Sequence, residues 1–149
     1  MFVARQLVKH QIGLTWNEVS RRYVDDEPEF FEPDVWRGKA DDKKQGSSDE
    51  SIEINPRNDM VNDYQQVLYS AKWTYEELLR KGVCPEQARM VLPQSMITEW
   101  YWSGTLYAFA RVCNLRCKPD AQQETRTIAN KIDLYMTKLF PASWGALID

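Results

Sequence analysis

Residues 59–81 read DMVNDYQQVLYSAKWTYEELLRK, and this stretch settles the class of fold. Met60, Tyr64, Val67, Leu68, Ala71, Tyr75, Leu78 and Leu79 recur at helical spacing, so they predict one apolar face on a long helix. Gly82 follows at once, where a helix end favours a residue that accepts positive φ.

Working outward, Pro85 sits at a first helical position and predicts a short helix through Arg89 and Met90, stopped near Pro93. Ser95 to Tyr101 predicts a strand, Thr105 to Cys117 returns to helical spacing, and Ala121 to Leu139 predicts a last long helix behind Pro119-Asp120. Toward the start, Val3, Leu7 and Val8, with Phe2 or Ala4, make an amphipathic stripe over residues 2–10, closed by Gly13. Thr15-Trp16-Asn17-Glu18 has the spacing of a capping box, which predicts a second short helix from Trp16 to Tyr23. Between Asp25 and Ser51 the composition turns to Asp, Glu, Pro, Lys, Gly and Ser, so residues 26–51 read as a long surface loop. Ile52 and Ile54 then suggest a brief strand before Pro56. The pattern is α+β and helix-rich with a small antiparallel sheet, in one domain spanning residues 1–149.

With 149 residues and 43% hydrophobic content, the chain can bury one substantial core. Its formal net charge of -3 offers no general attraction to phosphate backbones, so nucleic acid is not an expected partner. No apolar run approaches the roughly 18 residues of a spanning helix, and no membrane partner is expected. The three cysteines with no signal peptide ahead of them fit a reducing, cytoplasmic setting. Cys113 and Cys117, at i and i+4, lack further Cys or His neighbours and read as packing residues, so no metal site is expected.

Three arginine-bearing clusters stand out: Asn17-Glu18-Val19-Ser20-Arg21-Arg22-Tyr23, Glu86-Gln87-Ala88-Arg89, and Gln122-Gln123-Glu124-Thr125-Arg126. A guanidinium matches a phosphate bidentately, but each cluster taken singly is more often a solvated helix face. Their order carries more. His10, the Asn17–Tyr23 run, Pro28-Glu29-Phe30, Trp36-Arg37 and Lys44-Gln45-Gly46-Ser47 come first; Ala88–Pro93, Tyr101-Trp102-Ser103-Gly104, Asn114-Leu115-Arg116 and Ala121–Arg126 follow. In that sequence they resemble the flavin-dependent thymidylate synthases (the ThyX family) over nearly the whole chain.

The resemblance implies a cytoplasmic homotetramer that uses FAD, reduced by NADPH, to move a methylene group from methylenetetrahydrofolate onto dUMP and reduce it to the methyl of dTMP. It implies substrate binding by Gln6, Glu18, Ser20, Arg22, Arg89 and Arg126, with Glu18 and Ser20 presenting backbone groups at a helix start. Arg126 would face the pyrimidine ring; Ser20, which has no adjacent base in sequence, would position the substrate rather than attack it. Flavin contacts would fall on Lys9, His10, Gln11, Asn17, Glu18, Arg116 and Gln122. Lys9 and Gln11 stand where the family carries arginines, and Asp120 where many relatives carry a histidine. The family's N-terminal strand and helices have no counterpart, so a separate N-terminal fragment, a truncated gene product or a nucleotide-binding relative without turnover are the alternatives. Another pyrimidine nucleotide, such as dCMP, is the alternative substrate.

Overall fold

A computed structural model describes residues 1–23, 26–40, 47–52 and 59–148. The elements run α1 (Phe2–Leu7), β1 (Leu14–Glu18), β2 (Trp36–Lys39), β3 (Ser47–Ile52), α2 (Asp59–Arg80), α3 (Pro85–Ala88) and a 3-10 turn at Arg89–Val91. Then come β4 (Trp100–Gly104), α4 (Leu106–Arg116), α5 (Gln123–Leu139) and α6 (Pro141–Gly145). The class is α+β and helix-rich with small antiparallel sheets, as its periodicities predict. The chain divides into two compact units: residues 1–2, 18–36 and 52–100, and residues 3–17, 37–51 and 101–149.

The first unit is organised by α2. Leu68 and Tyr75 are buried on its inner face, whereas Met60 and Val67, predicted to share that face, are 52% and 57% exposed. The buried stripe is therefore narrower than the run of apolar residues. Gly82 takes φ 82°, and Val83 N–H to Leu78 O (2.9 Å) with Gly82 N–H to Leu79 O (2.9 Å) closes the helix in a Schellman arrangement. Tyr64 anchors the preceding segment by donating its hydroxyl to Phe31 O at 2.8 Å and packing edge-on against Trp36.

The core of the second unit is built on Phe109, Ala110, Cys113 and Trp144, with Leu14, Trp102, Ile132 and Met136 against them. Helix α4 starts where its sequence directs: the Thr105 hydroxyl accepts from Ala108 N–H at 3.2 Å as an N-cap. Helix α6, which the sequence reading did not anticipate, starts on Pro141 and delivers Trp144 into that core, where its indole N–H donates to Asp133 Oδ1 at 2.7 Å.

The expected helix at Trp16–Tyr23 does not form. Residues 14–18 are strand β1, in which half-buried Leu14 and Trp16 alternate with exposed Thr15 and Asn17. That period of two outweighs the capping-box spacing, because Trp16 meets Trp102 of β4 edge-to-face at 5.4 Å. The pairing is antiparallel, bracketed by Thr105 N–H to Gly13 O (3.1 Å) and Val19 N–H to Glu99 O (2.9 Å). A Cβ on Gly104 would stand 2.4 Å from Gly13 O, so only glycine allows this approach.

The strand expected at Ser95–Tyr101 is displaced to Trp100–Gly104. Its first half instead begins in a turn, closed by Met96 N–H to Pro93 O at 3.0 Å, and Met96 then makes an isolated antiparallel bridge with Phe30. Within the stretch read as a loop over 26–51, β2 and β3 pair as a two-stranded sheet. Alternation there is weak because Gly38, Ser47 and Ser48 carry little apolar surface. Ile52 ends β3, while Ile54 and the Lys44-Gln45-Gly46 part of the quoted motif lie outside the described residues.

Candidate functional site

In the first unit, β1 ends at Glu18 and the chain turns at Ser20–Tyr23, with Tyr23 N–H donating to Ser20 O at 3.0 Å. No helix begins there, so the backbone donors expected of a helix start at Glu18 and Ser20 are not formed. What the turn does instead is wrap Arg22 around Ser20: the Arg22 backbone N–H and its Nε both donate to Ser20 Oγ at 3.3 Å. The guanidinium lies 5.3 Å from the Tyr23 ring centroid, a cation–π contact, and Arg22 is exposed. Glu18 is engaged sideways, accepting from Thr98 Oγ1 at 2.6 Å. Arg89, at the α3 end, bends back so that Nε donates to Glu86 O at 3.4 Å.

Arg21, which the sequence reading passed over in favour of Arg22, staples this turn. Its two terminal nitrogens donate to the carbonyls of Asp26 and Glu27. The Glu27 carboxylate in turn pairs with Lys72 of α2. Arg21 and Glu27 border an open groove of about 270 Å³ whose rim is acidic, with Asp26, Glu29 and Glu99 also lining it.

In the second unit two further groups form. Gln6, on α1, donates Nε2–H to Gln122 Oε1 and accepts from Thr125 Oγ1 at 3.1 Å. Thr125 is fully buried, so this hydroxyl needs the Gln6 carbonyl as its partner. Gln122 also donates to Glu124 Oε2 at 2.9 Å, and Glu124 holds Arg37 in an ion pair. Thus Gln6 and Gln122, expected to serve nucleotide and flavin separately, belong to one hydrogen-bonded chain running from α1 through the head of α5 to β2. Arg37 and Glu124 as a pair were not readable from a separation of 87 residues. Arg126 is steadied by donating to Pro119 O at 2.9 Å.

The other group centres on His10. Arg116, the last residue of α4, donates Nε–H to His10 Nε2 at 3.0 Å, which leaves the ring proton on Nδ1. Burial, then Arg116, then Arg111, lower the imidazole below its ordinary pKa, so the ring is neutral. Lys9, His10 and Gln11 together border one cavity of about 150 Å³, while Asn17 lies exposed on β1. Cys113 is no nucleophile: its Sγ donates to Ala129 O at 3.6 Å, and burial drives its pKa up to about 12. Among the described residues no three His, Cys, Asp or Glu side chains gather as a metal site would require.

The structure thus brings together Ser20 with Arg22, Gln6 with Gln122, and His10 with Arg116. Glu18, Ser20, Arg22 and Arg89 belong to one compact unit; Gln6, Lys9, His10, Gln11, Asn17, Arg116, Gln122 and Arg126 belong to the other.

Comparison with known proteins bears on what such a set of groups serves. A flavin-dependent thymidylate synthase of Thermus thermophilus is 37% identical over 146 residues, covering 98% of this chain and 52% of that protein. One of Aquifex aeolicus is 38% identical over 133 residues, covering 89% of this chain and 41% of that protein. The chain therefore spans about half the length of the curated relatives it matches. The crystal structure of a UMP/dUMP methylase, PolB from Streptomyces cacaoi, bound with 5-Br dUMP superposes with a TM-score of 0.80 at 25% identity. That match covers 97% of this chain and 65% of the methylase chain. With residues 1–142 matching the family described as thymidylate synthase complementing protein, the chain belongs to that family, whose homologues here are named flavin-dependent thymidylate synthases.

Proposed function

We propose that this chain forms the nucleotide-binding and part of the flavin-binding portion of a thymidylate synthase that converts dUMP to dTMP. Methylenetetrahydrofolate is the one-carbon donor, and NADPH supplies electrons through FAD. The observation that carries the reading is the likeness, across 97% of the chain, to a methylase that was crystallised with 5-Br dUMP. Side-chain chemistry supports it.

Arg22, braced on Ser20 Oγ, has the fork geometry that grips a phosphate, and Arg89 adds a second guanidinium to the same class of ligand. Ser20 uses its oxygen to accept from Arg22, which suits a positioning group and not a nucleophile. Arg126, tied at one nitrogen to Pro119 O, has donors left to stabilise negative charge that grows on the pyrimidine ring when its carbon reacts. Glu18 contributes through Thr98, and Gln6 through its link to Gln122 and Thr125, both by fixing geometry. When bound, the flavin supplies the redox chemistry that a protein side chain cannot.

The cavity beside His10 fits one end of that cofactor: Lys9 offers a cation, neutral His10 a ring donor and Gln11 an amide, with no carboxylate against them. Arg116, Asn17, Glu18 and Gln122 complete the proposed flavin contacts. The reading includes a cytoplasmic homotetramer. Light scattering on the purified protein measures the assembly.

A second reading, methylation of UMP, is favoured by the pair of substrates in the name of the structural relative, a UMP/dUMP methylase. Calorimetric titration of the FAD-supplemented protein with dUMP, UMP and dCMP tests both. Binding of dUMP that weakens about tenfold or more in Arg22→Ala and Arg126→Ala supports the proposal. Absence of uridine nucleotide binding defeats it, and stronger UMP binding selects the second reading.

A further inference from the structure

The cavity beside His10 carries a residue that the motif-based expectation does not include. Helix α4 presents Ala108, Arg111 and Leu115 to it, spaced i, i+3 and i+7 on one face, opposite Lys9, His10 and Gln11. Leu14 and Ala108 contribute apolar surface. Among the described residues neither Arg111 nor Lys9 has a carboxylate partner, and no acidic side chain lines the space. Arg116 stands behind His10 and adds a third full positive charge to the neighbourhood.

Two guanidinium groups are close enough to act on the His10 imidazole, and a lysine borders the same cavity, so an anion entering it meets positive charge from several sides. Arg111 lies on the exposed face of α4 and also borders this cavity, beside Lys9 and His10. The Arg116 bond to Nε2 also fixes Nδ1–H as the donor of His10, so the ring adds a hydrogen bond without adding repulsion. A volume of about 150 Å³ is below the roughly 300 Å³ of pockets that enclose a whole small molecule, so it takes one group of a larger ligand.

We propose that Arg111, with Lys9, forms a subsite for a phosphate or diphosphate group. The identity of the molecule that carries this group rests on the flavin reading above; the subsite itself does not. Arg111 takes the oxyanion through its guanidinium fork, Lys9 adds a point charge, and His10 Nδ1–H supplies a neutral donor. Arg111 thereby restores positive charge beside Gln11, which has none.

The test uses the full 149-residue chain and its Arg111→Met and Arg111→Lys variants, with inorganic pyrophosphate as one probe and FAD and riboflavin as the others. Arg111 is exposed on its helix, so both variants keep the fold, as circular dichroism checks. Pyrophosphate should raise the melting temperature of the parent and not of Arg111→Met. By fluorescence quenching, FAD affinity should fall about tenfold or more in Arg111→Met and recover in Arg111→Lys, while riboflavin affinity stays unchanged. Equal loss of FAD and riboflavin, or no loss of either, overturns the subsite and leaves the flavin reading in place. Arg111-dependent pyrophosphate binding without FAD binding removes the flavin reading and keeps the subsite. Binding of neither probe by the parent defeats both.

Discussion

Arg116 Nε donates to His10 Nε2 at 3.0 Å, joining residues 106 apart in sequence and holding the imidazole in a single neutral tautomer. Because the folded chain resists protonation at His10, this contact makes stability depend on pH. Above the unfolded value of 6.5 both states are neutral, so the contribution is fully present there. As pH falls below 6.5 the unfolded chain takes up a proton that the folded chain does not, and stability declines until the lowered folded value is passed. Thermal melts between pH 7.5 and 5 should show a steeper decline for the parent than for His10→Gln. Identical slopes would mean that His10 titrates alike in both states.

Gly104→Ala tests the β1–β4 contact. The added methyl group would lie 2.4 Å from Gly13 O and 2.5 Å from Leu14 Cδ2, and the carbonyl is backbone that cannot swing aside. The expected cost is about 3 kcal/mol or more, read from urea denaturation. Gly145→Ala, at a site with nothing within 4 Å of the new atom, serves as the control and should change little. Parity of the two variants would show that the strands separate at small cost.

Trp144→Phe removes the 2.7 Å hydrogen bond to Asp133 and leaves space in a core where Trp144 is 2% exposed. Loss of a hydrogen bond to a carboxylate alone accounts for about 2 kcal/mol, and the unfilled volume adds to it. The midpoint of chemical unfolding should fall accordingly, and a variant as stable as the parent would place α6 outside the cooperative core.

The thiols should differ sharply in reactivity. Cys84 is exposed, whereas Cys113 is buried with its pKa pushed up to about 12 and Cys117 is raised by burial as well. At pH 8 an aromatic disulfide reagent should titrate one thiol quickly, and all three after denaturation. Cys84→Ser should abolish the fast phase. Rapid reaction of a second thiol would show that the α4–α5 core opens readily.

Much of this architecture was legible because local chemistry and tertiary context agree. The α2 stripe ending at Gly82, the Thr105 cap of α4 and the Pro85 start of α3 each depend on residues within a few positions of one another. The reading failed where distant contacts decide. Thr15–Glu18 has helix-start spacing, but Trp16 gains more by packing on Trp102, 86 positions further along, and the strand follows from that pair. The Ser95–Tyr101 strand slipped for the same reason: extended chain is a local preference, whereas its hydrogen-bonded register depends on which segment lies alongside.

The site divides in the same way. Residue order alone identified the family, and the resemblance carried with it the expectation that Arg22, His10, Arg116 and Gln6 contact a ligand. It did not record that Gln6 is bound to Gln122 and Thr125, that Arg37 is held by Glu124, or that Arg111 joins Lys9 at one cavity. Those are relations between helices, strands and loops that meet only after folding, and they set which donors are spent internally and which remain for a ligand. Sequence by itself determined the inventory of charged and polar groups; three-dimensional packing decided their partners, since hydrogen bonds and repulsion depend on distances of a few ångströms that chain position does not encode.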